Sequence, residues 1–430
     1  MPITLVFLIF IICILLAIPV SISLGIISIL PGAFDPSFTA SGQYIVSSML
    51  GGVNSFPLLA VPMFVLAGVI MARGGISKKI FDIFTYFIGK FTGGMPSAVV
   101  ITCLFYGAIS GSAPATVAAV GSMTIPVLTE LGYDKLFVTG ILATAGSLGV
   151  IIPPSIPFIM YGMSSGESVS ELFLAGIMPG VLIAFLLVVY CVYHSKKHGE
   201  DKEKIAKKLN ELRAKGVMSL FKESFWAILS PVIILGCIYS GFASPTEAAV
   251  LSVFYSLFIS LFIYKTLKIK DLWGIFVSAV KTFSPVLFIL AASMAFSRML
   301  TLMQVPQMIS SWILGNIVNE VFILIIINIL LLIVGMIMDT TPAILILSPI
   351  LLPIIKEIGI SPIQFGVIVV INLAIGFVTP PIGINLFVAS SLTDIPVFKI
   401  SRQVMPIIYL FIIALLLITF IPNISLILLN

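Results

Sequence analysis

Residues 147–155 read SLGVIIPPS, and residues 374–382, 227 positions further on, read AIGFVTPPI. Each is apolar sequence stopped by two consecutive prolines. A proline pair removes two backbone donors and biases the residues before it away from the α region. Each stretch therefore predicts a helix interrupted near its Gly149 or Gly376. The surroundings recur as well. At the same offset Pro126 corresponds to Pro353, Gly132 to Gly359, and Met178-Pro179 to Met405-Pro406. GSAPAT at 111–116 corresponds to DTTPAI at 339–344, with Pro114 and Pro342 separated by 228. Among 26 prolines one or two align by accident, but not a pair, two glycines and three further prolines at nearly one offset. The sequence predicts an internal duplication.

Composition supplies the solvent. Only 9% of the 430 residues are charged against 60% apolar, with a mean hydropathy of +1.25. A soluble domain carries roughly 25% charged residues, so the expected class is an all-α polytopic membrane protein, multi-pass in a lipid bilayer. Four cysteines scattered in apolar runs and two histidines argue against disulfides, zinc or haem. No phosphate-binding glycine loop occurs, so ATP hydrolysis is not expected. Neither an enzyme nor a nucleic-acid partner is expected. The apolar start lacks the basic lead and short apolar core of a cleaved signal and reads as a retained span.

Runs long enough to cross about 30 Å of hydrocarbon are legible at 3–30, 57–72, 171–193, 224–241, 248–264, 284–300 and 403–427. The amphipathic pieces 41–54, 76–91, 268–281 and 303–317 read as helices near the interface. Residues 194–223 differ in kind. The stretch from Lys196 to Lys222 holds nine of the 22 basic and four of the 17 acidic residues, leaving 13 of each elsewhere, so the whole net charge of +5 resides in this one stretch. The positive-inside rule places it in the cytoplasm as a solvated connector.

Threading outward from that anchor puts 20 of the 22 basic residues on the same side, all but Arg298 and Lys356, provided residues 95–131 enter and leave on one face. The expected organisation is a first repeat over 1–194, with a re-entrant hairpin at 95–131 and an interrupted helix at 136–163. A basic linker follows at 195–223 and a connecting span at 224–247. The second repeat, 248–430, carries a hairpin at 320–358 and an interrupted helix at 362–390. The odd number of crossings makes the second repeat inverted relative to the first. Inverted repeats with interrupted helices are an architecture of secondary transporters.

The interruptions have chemical content. Pro114 and Pro342 follow small hydroxyl-bearing residues, and proline is well tolerated in the first turn of a helix. Ser112 or Ala113, and Thr341, are expected N-caps, making each motif a hairpin tip. The proline pairs free carbonyls at 149–152 and 376–379, which in hydrocarbon must find partners. Carbonyls with Ser/Thr hydroxyls suit a hard monovalent cation, and helix N-termini suit an anion. Asp339 is the one convincing acid at a tip, so sodium is expected rather than protons. Ser112, Ser155, Thr341 and Asn385 are candidate substrate contacts; the plainer role for any such hydroxyl is a bond back to its own helix. Arg298 reads as an interfacial arginine or an anion attractor, and Glu247 as an acid complementing a helix N-terminus.

The strings GSAPATVAAVGS, GVIIPPSIP, ASPTEAAV, MDTTPAILILSPILLPI and GFVTPPIGINLFVA resemble the large membrane subunit of TRAP (tripartite ATP-independent periplasmic) transporters, over essentially the whole chain. The resemblance implies an elevator-type transporter of the bacterial inner membrane. It would import organic acids such as sialic acid or dicarboxylates with sodium as coupling ion and no cofactor. It also implies a periplasmic substrate-binding protein and a small four-span membrane subunit, here on a separate chain because this one looks like the unfused form. A stand-alone sodium/carboxylate symporter is the alternative. Carried over, one sodium site would involve Ser110, Gly111, Ser112, Thr116, Gly149, Val150 and Pro153. The other would involve Asp339, Thr340, Thr341, Gly376, Thr379 and Pro380.

Overall fold

The computed structural model describes residues 3–16, 18–34, 42–214, 216–316 and 319–429. Residues 17, 41, 215 and 317, which belong to segments discussed above, lie outside it. Regular structure among the described residues is helical, and nine helices are long and apolar enough to cross a membrane. Their burial sorts them. The most apolar window of Lys135–Ser165 is 94% buried, whereas that of Ile269–Leu302 is 22% buried. An apolar helix that stays exposed in the chain faces lipid or a partner subunit, so the former is interior and the latter peripheral.

One order of elements occurs twice. The first hairpin has arms Gly94–Ser110 and Ala113–Glu130. The first broken helix follows as Lys135–Gly146, Leu148–Ile151 and Ile156–Ser165, and then the long helix Val169–His198. The second hairpin has arms Glu320–Ile337 and Thr340–Glu357; the second broken helix is Pro362–Gly376 and Ile384–Thr393, followed by Val397–Phe420. These elements pack on one another around a common apolar core. Helices Ala60–Arg73, Val217–Tyr239, Pro245–Phe258 and Leu272–Leu302 form a flanking group.

Three expectations change. The run 3–30 is two helices, Ile3–Leu15 and Val20–Phe34. Pro19 has no N–H to continue the ladder, and Ile18 N reaches back to the Cys13 carbonyl, five residues away, at 3.0 Å. The piece 268–281 is not separate. It forms most of the first turns of the 31-residue helix Leu272–Leu302, because Lys281 sits on an exposed face where a charge does not interrupt the helix.

The linker is more than a solvated connector. Its helix Lys202–Ala214 buries Ile205, Leu209 and Leu212 at helical spacing against helix Ile76–Ile88. Glu200 accepts hydrogen bonds from Tyr133 Oη at 2.6 Å and Gly93 N at 2.9 Å, tying the linker to both ends of the first hairpin. Burial and the neighbouring carboxylate push the Tyr133 phenol well above its usual range. Leu209→Asp should undock this helix, since it forfeits about 1.5–3 kcal/mol of burial and puts a charge in its place. Tryptic cleavage at Lys204, Lys207 and Lys208 is then expected to rise about tenfold or more; unchanged cleavage would show the packing is not needed to hold the linker.

Candidate functional site

The first tip is built on a left-handed glycine. Helix Gly94–Ser110 ends at Gly111, whose φ of 61° lets the chain reverse within a residue, and Ser112 caps the next helix in extended conformation. Of the two expected caps, Ser112 takes the position. Thr116 Oγ1 donates to the Ser112 carbonyl at 2.8 Å and lies 3.0 Å from Ser110 Oγ, which is itself 3.3 Å from that carbonyl. The broken helix closes this group from behind. A side chain on Gly149 would meet Thr116 Oγ1 at 2.5 Å and the Ser112 carbonyl at 2.7 Å. Ser110, Ser112, Thr116 and Gly149 are thus drawn into one small oxygen-lined cluster. The Val150 carbonyl accepts from Ser155 Oγ at 2.6 Å, and the Gly111 carbonyl accepts from Ile156 N at 3.3 Å. Pro153 is buried in the break, its bond to Pro154 cis.

The second tip uses a carboxylate. Asp339, not Thr341, caps helix Thr340–Glu357. Its Oδ1 accepts from Thr340 N at 2.6 Å and from Thr340 Oγ1 at 3.1 Å. A charged acceptor satisfies the orphan donors of the first turn better than a hydroxyl, so the helix starts two residues earlier than expected. Thr341 falls at the second helical position and Pro342 at the third. Behind the tip, Gly376 lies against Gly335 of the hairpin arm, and Ile382 N donates to the Met336 carbonyl at 3.2 Å. Thr379 Oγ1 bonds back to the Ile375 carbonyl at 2.7 Å. The second proline pair is also cis, and Pro380 is exposed where its counterpart Pro153 is buried.

Both tips line one cavity of about 570 Å³. Ser110, Gly111, Ser112 and Val150 reach it from the first side, Asp339, Thr340 and Thr341 from the second. The flanking helices Ala60–Arg73 and Leu272–Leu302 close it with Arg73 and Thr282 among others. Asp339 and Arg73 are its charged lining residues. Thr116, Gly149 and Pro153, like Gly376, Thr379 and Pro380, stand behind the tips and outside this lining.

Ser155 and Asn385 are fully buried and also outside it. Ser155 is spent on the Val150 carbonyl, and Asn385 donates to the Ala143 carbonyl at 3.0 Å and to Ser147 Oγ at 3.2 Å. Arg298 is exposed and away from the cavity. Glu247 forms a capping box with Ser244, as its place at a helix start suggested. Sequence reasoning did not pick out Arg73, Tyr106, Thr282 or Phe377 as lining. Arg73 entered only as a basic residue, and the others have no local signal because distant elements bring them together.

The chain matches, over residues 7–424, the family described as "Tripartite ATP-independent periplasmic transporter, DctM component". It is 40% identical over 98% of its length to the isethionate TRAP transporter permease protein DctMQ of Oleidesulfovibrio alaskensis, and spans 66% of that relative. It is 38% identical to the C4-dicarboxylate TRAP transporter large permease protein DctM of Pseudomonas aeruginosa, covering 87% of this chain and 86% of the relative. The 2,3-diketo-L-gulonate TRAP transporter large permease protein YiaN of Escherichia coli is 37% identical, covering 89% and 88%. Two solved structures share the fold at low identity. The YdaH transporter of Alcanivorax borkumensis has a TM-score of 0.63 at 16% identity, over 93% of this chain and 96% of that one. MtrF of Neisseria gonorrhoeae has a TM-score of 0.58 at 14% identity, over 93% of each. The chain belongs to the DctM component family of tripartite ATP-independent periplasmic transporters, multi-pass proteins of the bacterial inner membrane that carry solutes rather than catalyse a conversion.

Proposed function

We propose that this chain is the large permease of a sodium-coupled organic-acid importer, in which two inverted halves form a transport unit that moves elevator-fashion against the flanking helices. It works with a periplasmic substrate-binding protein and a small four-span membrane subunit. The single observation that carries the reading is the cavity shared by both tips. Sodium occupies the oxygen clusters behind it, around Ser110, Ser112, Thr116 and Gly149 on one side and Asp339, Thr340, Thr341 and Gly376 on the other. The anion sits between the tips, touching Ser112 and Thr341.

Charge explains the coupling. An organic anion entering beside Asp339 meets a like charge in a low-dielectric cavity, where repulsion over a few ångströms costs several kcal/mol. A sodium ion held by the Asp339 carboxylate cancels that repulsion. The N-termini of helices Ala113–Glu130 and Thr340–Glu357 then present partial positive charge to the substrate. The ion therefore binds first and the acid second. Relatives named for a C4-dicarboxylate, isethionate and diketogulonate support an organic acid of the dicarboxylate or a similar small-acid type, with sialic acid a further member of the class to test.

Protein reconstituted with its cognate small subunit and binding protein is expected to accumulate substrate only under an inward sodium gradient. Uptake that persists undiminished without sodium under an imposed proton gradient would overturn the coupling. Uptake by this chain alone would favour a stand-alone symporter.

A further inference from the structure

The two broken helices are joined by one buried polar chain close to both breaks. Asn385, in the second half of one broken helix, sends its Nδ2 to the Ala143 carbonyl and Ser147 Oγ of the other, at 3.0 and 3.2 Å. Ser147 Oγ passes the chain on to the Ala374 carbonyl at 3.1 Å, and Asn385 N donates to the Phe377 carbonyl at 3.0 Å. Asn385 and Ser147 have no exposed surface. Because the Ala143 carbonyl can only accept, the amide orientation is fixed.

The positions matter more than the bonds themselves. Ser147 precedes Gly149 by two residues, and Ala374 precedes Gly376 by two. Gly149 backs the oxygen cluster of the first tip, and Gly376 backs the second tip through Gly335. Asn385 Oδ1 has no hydrogen-bond partner among the described residues, but the side-chain donors of Asn385 and Ser147 are all engaged. Buried donors held in one arrangement resist independent movement of the groups they tie. Any shift of residues 147–150 on filling the first cluster is therefore carried through Ser147 and Asn385 to residues 374–377.

We infer that Ser147 and Asn385 are positioning residues that couple the two tips, so that filling one cluster with a cation favours filling the other. Neither touches the cavity, and the inference rests on the sodium-coupled reading given above. It predicts positive cooperativity between the ions, a coupling that either ion exerts on the other.

The test is the sodium dependence of uptake by the complete reconstituted transporter, carried out for wild type, Ser147→Ala, Ser147→Thr, Asn385→Leu and the Ser147→Ala/Asn385→Leu pair. Wild type should give a Hill coefficient of about 2, falling to about 1 in Ser147→Ala and Asn385→Leu. The double variant should be no less cooperative than either single one, because both break the same chain. Ser147→Thr keeps the hydroxyl and should restore the wild-type coefficient. If Ser147→Ala keeps the wild-type coefficient while only its maximal rate or thermal stability falls, the chain is merely structural and the inference fails. A wild-type coefficient of 1 with full sodium dependence also overturns it and leaves the sodium reading intact. Sodium-independent uptake by wild type overturns that reading instead. Should Asn385→Leu fail to fold, Ser147→Ala decides alone, since it removes one buried oxygen and adds no bulk.

Discussion

Asp339→Asn is expected to cut the apparent sodium affinity of uptake by about 10–150-fold while leaving the protein folded. Two roles meet in this carboxylate and the substitution separates them. As a cap, Oδ1 accepts from Thr340 N and Thr340 Oγ1, and asparagine caps a helix about as well as aspartate. As a charge, it faces the cavity between the tips, and only this part is lost. A hydrogen bond or contact to a charged group is worth about 1.5–3 kcal/mol, and each 1.4 kcal/mol is tenfold in affinity. Asp339→Ala should add the loss of the cap, about 1 kcal/mol, and so lower the melting temperature as well. Uptake measured against sodium concentration, alongside thermal unfolding of the purified protein, distinguishes the two. Asp339→Asn with a wild-type sodium curve would remove this residue from the ion site.

How much of this was legible beforehand follows from what proline and glycine can signal. Pro114, Pro153-Pro154, Pro342 and Pro380-Pro381 announce local failures of the helix ladder, which depend on a few adjacent residues, so tips and breaks could be read directly. The cap of the second tip was misplaced because a hydroxyl and a carboxylate competed for one position and the pattern does not weigh them. The docking of the linker helix escaped because nine positive charges mask a three-residue apolar stripe, Ile205, Leu209 and Leu212. Asn385 looked like a substrate contact from its place past the proline pair. Its side chain instead points to a helix 240 or so residues earlier in the chain, and sequence spacing carries no information on such a partner. The cavity lining from Arg73, Tyr106 and Thr282 was hidden for the same reason.

One crossing was legible in principle and was missed, and it leads to the other large effect. Gly335 and Gly376 meet where the second hairpin crosses the second broken helix. In the first half the same elements cross at Gly107 and Gly149, where a side chain on Gly107 would meet Gly149 Cα at 2.7 Å. Gly107 and Gly335 are 228 apart, the offset already given by Pro114 and Pro342. Gly376→Ala should therefore be severely destabilising. Its Cβ would lie 2.2 Å from the Gly335 carbonyl carbon and 2.4 Å from its oxygen. These are backbone atoms of a packed helix and cannot rotate aside, so the whole hairpin arm must retreat from the break. Overpacking costs typically 1–3 kcal/mol and more where backbone must move. Gly25→Ala is the control, because nothing lies within 4 Å of its added methyl group and alanine favours a helix interior by about 1 kcal/mol over glycine. Thermal unfolding should place Gly25→Ala at or above wild type and Gly376→Ala well below it, with uptake lost in the latter. A Gly376→Ala protein that melts and transports like wild type would show that the second tip does not depend on this close approach. Loss of uptake without loss of stability would instead locate its importance in the spacing between Asp339 and the broken helix.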